Sequence, residues 1–372
     1  MLKKSKDLSK EGYELIKRFR AGEIKPLKTG IQHLDEQLMG GLLPSTVLGI
    51  VARSGHGKTY DLERIEKNIQ REDKDNEVIF LKARWEMETF KLLLRDMSET
   101  TGKSVRNLLF EPEEGENELD ILDKVVEDHC GDNMYIQDSA VDADTFAVDV
   151  ESLIKKYPNK KIVVSVDNLE NILNSKGSQK ASMDYLLSKV NFLKKSHPFI
   201  CFIILNQLNQ NILLRSDDIR KHRPLESDIY GSDQLLKLCD VVYVKLIPYK
   251  IGIHEKFMVF GEDMYPWLED YKIPTITATT SFDPYGIAFY FYLKVRQPES
   301  QKDFRDVQVE VMFTKDSLDE AMNNNKPRHK QVPTEVKPVL ETPKIDLHNI
   351  GDIFGDIEDV VKEGNDDDNP FK

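Results

Sequence analysis

Residues 52–59 read Ala-Arg-Ser-Gly-His-Gly-Lys-Thr, and no other stretch limits the fold so tightly. The octapeptide follows an apolar run, Val47-Leu48-Gly49-Ile50-Val51, and precedes apolar residues at helical spacing, Leu62, Ile65 and Ile69. A strand, a small-residue turn and a helix in that order form a cradle for phosphate. Backbone N–H groups of the turn wrap the β- and γ-phosphates, and the helix N-terminus adds its positive end. On this reading Ala52, Arg53, Ser54, Gly55, His56, Gly57, Lys58, Thr59 and Tyr60 line a nucleotide site. Lys58 brings a point charge to the β- and γ-phosphates, and the Thr59 hydroxyl ligates magnesium. Ala52 stands where the phosphate-loop pattern usually has glycine. An ordinary Gly-rich turn has the same letters, so the flanking strand and helix give the match its weight.

Composition narrows the setting. A chain of 372 residues has room for one large α/β domain with tails or for two modest domains. No apolar run approaches membrane-spanning length, and the Lys-rich N-terminus lacks the apolar stretch of a signal peptide, so a cytoplasmic protein without membrane contact is expected. Cys130, Cys201 and Cys239 have no metal-like spacing, and the last two sit in apolar runs, as buried thiols of a reducing compartment do. The net charge of −13 argues weakly against nucleic acid as a partner, but its distribution is uneven. Residues 1–28 carry nine bases and four acids; residues 344–372 carry nine acids and three bases. Further acids cluster at Glu111, Glu113, Glu114, Glu116 and Glu118, so a groove elsewhere can still be locally basic.

The chain divides into four parts: an N-terminal helix region (1–28), an alternating α/β region (29–313), a Pro-containing linker (314–344) and an acidic tail (345–372). An amphipathic helix is expected over 8–22, with Leu8, Leu15, Ile16 and Phe19 on one face and Pro26 ending it. Strand-like runs lie at 47–51, 78–82, 134–137, 162–167, 200–205 and 241–246, alternating with helical stretches, which implies a parallel sheet covered by helices. Two further strands, 287–295 and 307–313, read as antiparallel. The linker holds Asn323-Asn324-Asn325 and Pro327, Pro333, Pro338 and Pro343.

Three strand ends carry groups suited to a phosphate site. Ile162-Val163-Val164-Ser165-Val166-Asp167 ends in a carboxylate able to hold magnesium through water, although any strand-end Asp fits that description. Glu86, just past the second strand, is placed to polarise a water against the γ-phosphate as a general base, or is simply a helix-capping acid on the surface. Ile203-Ile204-Leu205-Asn206-Gln207 ends in amides, and Gln207 is either a γ-phosphate sensor or a polar strand terminus.

These segments in order resemble the motor domain of DnaB-type hexameric replicative helicases. Thr29-Gly30-Ile31-Gln32-His33-Leu34-Asp35, continuing to Gly40-Gly41-Leu42, resembles the opening of RecA-type ATPases. Trp85-Glu86-Met87, Val166-Asp167-Asn168-Leu169, Asn206-Gln207-Leu208-Asn209, Ser227-Asp228-Ile229-Tyr230-Gly231-Ser232 with Cys239-Asp240, and Tyr292-Leu293-Lys294-Val295-Arg296 are similar to the motifs that follow. The resemblance runs over about residues 8–313. It implies a RecA-like P-loop ATPase core: an α/β fold with a mostly parallel twisted sheet flanked by helices, and antiparallel strands at the C-terminal end. It further implies ATP and magnesium as cofactors, a homo-oligomeric, hexameric ring, and single-stranded DNA as partner. Translocation would run 5′ to 3′ during DNA replication, in a bacterium or a phage-infected host. By the same resemblance Lys58 and Thr59 bind phosphate and metal, Asp167 holds the metal, Glu86 activates water and Gln207 senses the γ-phosphate. Lys294 and Arg296 reach the neighbouring subunit's nucleotide, and the N-terminal helix docks on the adjacent motor domain; packing on its own domain is the alternative.

The departures matter as much. The family's helical collar domain has no counterpart here, and the channel segment Tyr230-Gly231-Ser232-Asp233 lacks the usual Arg at position 230. Backbone amides there can still hold DNA phosphates, and Arg215, Arg220, Lys221 and Arg223 are candidate channel cations or else a solvated loop. Residues 247–286 are longer than the family's connection. The terminus Asp366-Asp367-Asp368-Asn369-Pro370-Phe371-Lys372 is similar to acidic, Phe-tipped tails that recruit replication partners such as a polymerase, primase or loader. A disordered solubilising tail is the plain alternative. Two rival readings stay open: a RecA/KaiC-like DNA-dependent ATPase of recombination or repair, and a nucleotide-gated interaction protein working through its tail.

Overall fold

A computed structural model describes residues 4–86, 88–101, 103–110, 133–214, 223–231, 233–251, 257–258, 281–282, 287–296 and 307–311. The acidic cluster from Glu111, Cys130, the cations Arg215, Arg220 and Lys221, Ser232, most of 247–286, the linker and the tail lie outside the described residues.

The core is an eight-stranded sheet: β1 (Val47–Ala52), β2 (Val78–Arg84), β3 (Met134–Gln137), β4 (Lys161–Asp167), β5 (Ile200–Gln207), β6 (Val241–Leu246), β9 (Ile287–Val295) and β10 (Val307–Val311). The order is β10-β9-β6-β1-β5-β4-β2-β3. Every neighbouring pair from β6 to β3 is parallel, and β9 lies antiparallel to both β6 and β10. A separate two-stranded ladder joins β7 (Phe257–Met258) to β8 (Ser281–Phe282). β1 and β6 are buried along their whole length. That is why their sequences are continuous apolar runs and not alternating ones: both faces of a central parallel strand are covered by helices.

Alternate residues of the strands feed two cores. One face sends Val47, Val51, Val164 and Phe202 toward Phe146, Val150, Leu186 and Val190. These last four come from α6 (Ala143–Lys156) and α7 (Gln179–Ser196). The other face sends Leu48, Ile50 and Phe80 toward Leu34 of α2 (Gln32–Gln37) and Leu62, Ile65 and Ile69 of α3 (Lys58–Glu72). Helices α4 (Thr89–Thr101) and α5 (Val105–Phe110) follow β2, and the short α8 (Asp233–Leu238) precedes β6. Local chemistry fixes the ends: Asp142 caps α6 by accepting from the Asp144 and Thr145 amides at 2.9 Å each, and Ser178 caps α7.

The fold follows the sequence reading with shifts at element ends. β2 and β5 run two residues past the apolar stretch, because parallel neighbours hold Arg84 against Asp167 and Gln207 against Ala52. β10 ends at Val311, short of 313. The N-terminal helix α1 spans Ser5–Arg20 and not 8–22. It stops at Gly22, whose φ of 72° is left-handed, four residues before the proline expected to end it. None of its residues is buried, and Leu8, Tyr13 and Ile16 are half exposed or more, so it does not pack into its own domain's core.

Candidate nucleotide site

The parallel strands deliver their C-terminal ends to one edge of the sheet, which is where an α/β fold builds its sites. β1 ends at Ala52 and the chain turns through Arg53–Gly57 into α3. Gly55 and Gly57 both have φ of 80°, a left-handed conformation that side-chain-bearing residues rarely adopt. At Gly57 a Cβ would also press on Lys245 Nζ, 3.3 Å away. The turn therefore has to be glycine twice, and it opens its amides at the start of a 15-residue helix. His56 is buried and its Nδ1 accepts from the Ile247 amide at 2.9 Å, fastening the turn to the end of β6. Burial, with Arg53 nearby, lowers the His56 pKa to about 4, so the ring stays neutral.

Five side chains meet beside this turn. Lys58 Nζ, 5% exposed, lies 2.9 Å from Glu86 Oε2, whose side chain is 35% exposed and so open to water. Asn168, fully buried just past β4, donates from Nδ2 to the same Glu86 oxygen at 2.8 Å. The Glu86 amide in turn donates to the Asp167 carbonyl at 3.2 Å, joining the ends of β2 and β4. Thr59 lies near enough to the Asp167 carboxylate to pull its pKa down. Burial raises the Asp167 pKa, against the opposing pull of Arg84 and Thr59. Its Oδ1 is buried and has no hydrogen-bond partner, and neither has Nη1 of Arg53.

Those two orphaned atoms carry the test of whether a nucleotide and its metal suit the site. A buried carboxylate oxygen without a partner costs free energy unless a cation or donor completes it. A buried guanidinium nitrogen asks for an anion in the same way. Thr59 and Asp167 offer hard oxygen atoms of the kind magnesium takes. The residues present fit the group.

Gln207 closes the site on the β5 side. It stands in register with Ala52, and its carbonyl accepts the Tyr230 amide at 2.9 Å. Asn206 Nδ2 donates to the Tyr230 carbonyl at 3.0 Å. The segment carrying Tyr230 and Gly231 is thus hung directly from β5, the strand paired with the one that runs into the phosphate turn. Tyr60 is half exposed on the first turn of α3. Arg223 is half-buried.

Lys294 and Arg296 are elsewhere. β9 runs antiparallel to β6, with Lys294 opposite Val242 and Val295 opposite Val241, so both cations sit at the sheet edge away from Lys58. Arg296 pairs with Asp240 at 2.8 Å and donates to the Lys237 carbonyl at 2.8 Å. Lys294 donates to the Leu236 and Lys237 carbonyls, the C-terminal end of α8, where cations are favoured.

Sequence reasoning passed over three groups. Asn168 was read only as part of a strand-end motif. Glu170, two residues on, has a raised pKa from burial, with Lys58 and a Gln207 backbone hydrogen bond pulling it down and Glu86 pushing it up. Third, buried ion networks brace the strands under the site. Glu66 binds Arg84 at 2.5 Å, Ser165 at 2.5 Å and Lys82 at 3.4 Å. Asp61 binds Lys245 at 2.5 Å and Tyr243 at 3.0 Å. Acid-plus-helix spacing such as Asp61 and Glu66 after a phosphate loop was the available signal, since acids are rarely buried in a helix unless paired.

Comparison with known proteins gives a consistent result. The family described as the DnaB-like helicase C terminal domain matches residues 26–250. No curated protein matches the chain. Among solved structures, the ATPase domain of G40P superposes with a TM-score of 0.56 at 16% identity, covering 80% of this chain and 93% of that one. A DnaB-like replicative helicase, studied with its interactions with primase, gives 0.54 at 18% identity and 80% of this chain. Only 63% of that helicase's own length is covered. At such identities the superpositions speak for the fold.

Proposed function

Because the chain belongs to the DnaB-like helicase C-terminal domain family, a replicative helicase motor, we propose that it hydrolyses ATP in a ring of identical subunits. The ring translocates 5′ to 3′ on single-stranded DNA and unwinds duplex at a replication fork. The observation that carries this is the meeting of Lys58, Glu86, Asn168 and Asp167 at the strand ends beside the phosphate turn.

Each residue then has a role. The turn amides and Lys58 hold the triphosphate, and Arg53 adds a second cation. Thr59 and Asp167 would hold magnesium, which would supply positive charge against the phosphates. Glu86, open to water and fixed by two donors, takes the proton of the attacking water. Gln207 contacts the γ-phosphate and, through the Tyr230 amide, passes its presence to the DNA-facing segment. Lys294 and Arg296, remote from their own turn, complete the neighbour's site by stabilising charge on the transferring phosphoryl group. The exposed apolar face of α1 docks on an adjacent subunit. Arg215, Arg220, Lys221, Arg223 and the Tyr230–Ser232 backbone face single-stranded DNA, and the acidic tail recruits a replication partner.

The test is ATP hydrolysis by the full chain with and without single-stranded DNA, beside Glu86→Gln and Arg296→Ala. DNA stimulation is expected, with each substitution lowering kcat by about 100-fold or more, the range of a lost general base or trans cation. Forked duplex with a 5′ tail is expected to unwind and a 3′-tailed fork is not. Hydrolysis indifferent to DNA and to Arg296 would sink the motor reading.

A further inference from the structure

Glu86 Oε2 has two donors, Lys58 Nζ at 2.9 Å and Asn168 Nδ2 at 2.8 Å. They are not equivalent. Lys58 belongs to the phosphate turn, and a bound triphosphate competes for its ammonium. Asn168 has no such second claimant: it is fully buried, and both ends of its amide are committed. Its Oδ1 accepts the Glu170 amide at 2.8 Å, which caps the single turn Leu169–Asn171. An N–H can only donate, so Oδ1 must be the atom facing Glu170, and the NH2 group must then face Glu86. The orientation of the donor toward Glu86 is therefore set by a backbone contact on the far side of the same side chain.

We propose that Asn168 is a positioning residue for hydrolysis: its amide holds the Glu86 carboxylate in attack geometry once Lys58 has been drawn to the phosphates. The inference rests on the general-base reading of Glu86. It assigns Asn168 two separable jobs, a structural one through Oδ1 and a positioning one through Nδ2. Other groups around Glu86 do not substitute for it. Asp167 and Glu170 are carboxylates and repel it, as their mutual electrostatics record, and Gln207 stands across the site on β5.

The two jobs can be separated by substitution. Asn168→Asp keeps an oxygen acceptor for the Glu170 amide but replaces the donor toward Glu86 with a carboxylate oxygen. Asn168→Ala removes both. Steady-state hydrolysis by the full chain, stimulated by single-stranded DNA, is measured with binding of a fluorescent ADP analogue in magnesium. Both variants are expected to lose kcat by about 10- to 100-fold, the scale of a misplaced catalytic group, with KM for ATP and ADP affinity within about twofold of wild type. In a Glu86→Gln background, Asn168→Ala is expected to add no further loss of single-turnover rate, because the residue it positions is already disabled. Asn168→Asp with wild-type kcat would overturn the proposal and leave Asn168 a cap alone. So would a full additive loss in the Glu86→Gln background, or a fall in ADP affinity matching the fall in kcat. Wild-type protein that hydrolyses no ATP would instead remove the general-base reading, and this inference with it.

Discussion

Two buried carboxylates, Glu66 on α3 and Asp167 at the end of β4, lie within reach of the same guanidinium, Arg84, and have opposite fates. Glu66 is surrounded by Arg84, Lys82 and Ser165. Burial alone would raise its pKa, and those partners overcome it and hold the carboxyl below its usual range. Asp167 is nearly as buried, but burial wins: its pKa is raised and one oxygen has no partner. The difference separates a structural acid from one kept waiting for a ligand. A satisfied buried acid fixes strands to a helix; an unsatisfied one marks where something must bind.

The comparison breaks most visibly at Glu66. Glu66→Leu strands Arg84 in the interior without its counter-charge, and loss of one partner of a buried pair costs about 3–5 kcal/mol. Thermal unfolding should show a fall in Tm of roughly 6–20 °C for a domain of this size. At Asp167 the expected result is reversed. Asp167→Asn should lower magnesium-dependent hydrolysis by about 100-fold or more, the effect of removing one preorganised charge, while the nucleotide-free protein keeps or gains stability.

The sign follows from linkage. A carboxyl with a raised folded pKa is a liability above its unfolded value of 3.8, so the gain from Asp167→Asn is expected at neutral pH and disappears in acid. Glu66, with a lowered pKa, contributes stability above its ordinary 4.5 that is lost as pH falls. Denaturant melts at pH 7 and pH 4 should therefore move the two variants in opposite directions relative to wild type.

The smallest effect at neutral pH is at the phosphate turn itself. His56 has its pKa lowered to about 4, so the unfolded chain takes up a proton near 6.5 that the folded chain refuses. Stability on this account is complete above pH 6.5 and declines toward pH 4, with a slope of about 1.4 kcal/mol per pH unit for one group. His33 has the same lowered value and adds its own share. His56→Asn, which keeps an acceptor for the Ile247 amide, should flatten that slope by about half, leaving the His33 contribution in place.

Local patterns were legible in the sequence and long-range partnerships were not. The six parallel strands announced themselves as apolar runs because helices cover both faces, and the turn at 52–59 carried its own chemistry. Glu86, Asp167 and Gln207 stood out as candidates because each lies at or just past the end of such a strand. The strand order was not, since it depends on register between segments as distant as Ala52 and Gln207. The same reason hid Glu66 with Ser165, 99 residues apart, and Asp61 with Lys245, 184 apart. Asn168 was in view as a letter, but the role proposed for it rests on which atom of the amide faces which neighbour. The extent of α1 was misjudged because its apolar stripe fixed a face and not an end, and Gly22 decided the end.

The antiparallel placement of β9 bears on how such a protein behaves in mixtures. Arg296 is level with the start of β1 and Lys58 lies beyond its end, a separation of five strand residues, or roughly 17 Å along the sheet. No rotamer of an arginine spans that distance, so under the ring assignment a chain never completes its own catalytic centre. Co-expressed with normal chains, an Arg296→Ala chain would spoil the turnover of the neighbour it faces while its own nucleotide is still hydrolysed. The share of silent sites would follow the fraction of altered chains, yet the silent sites would include those of normal chains.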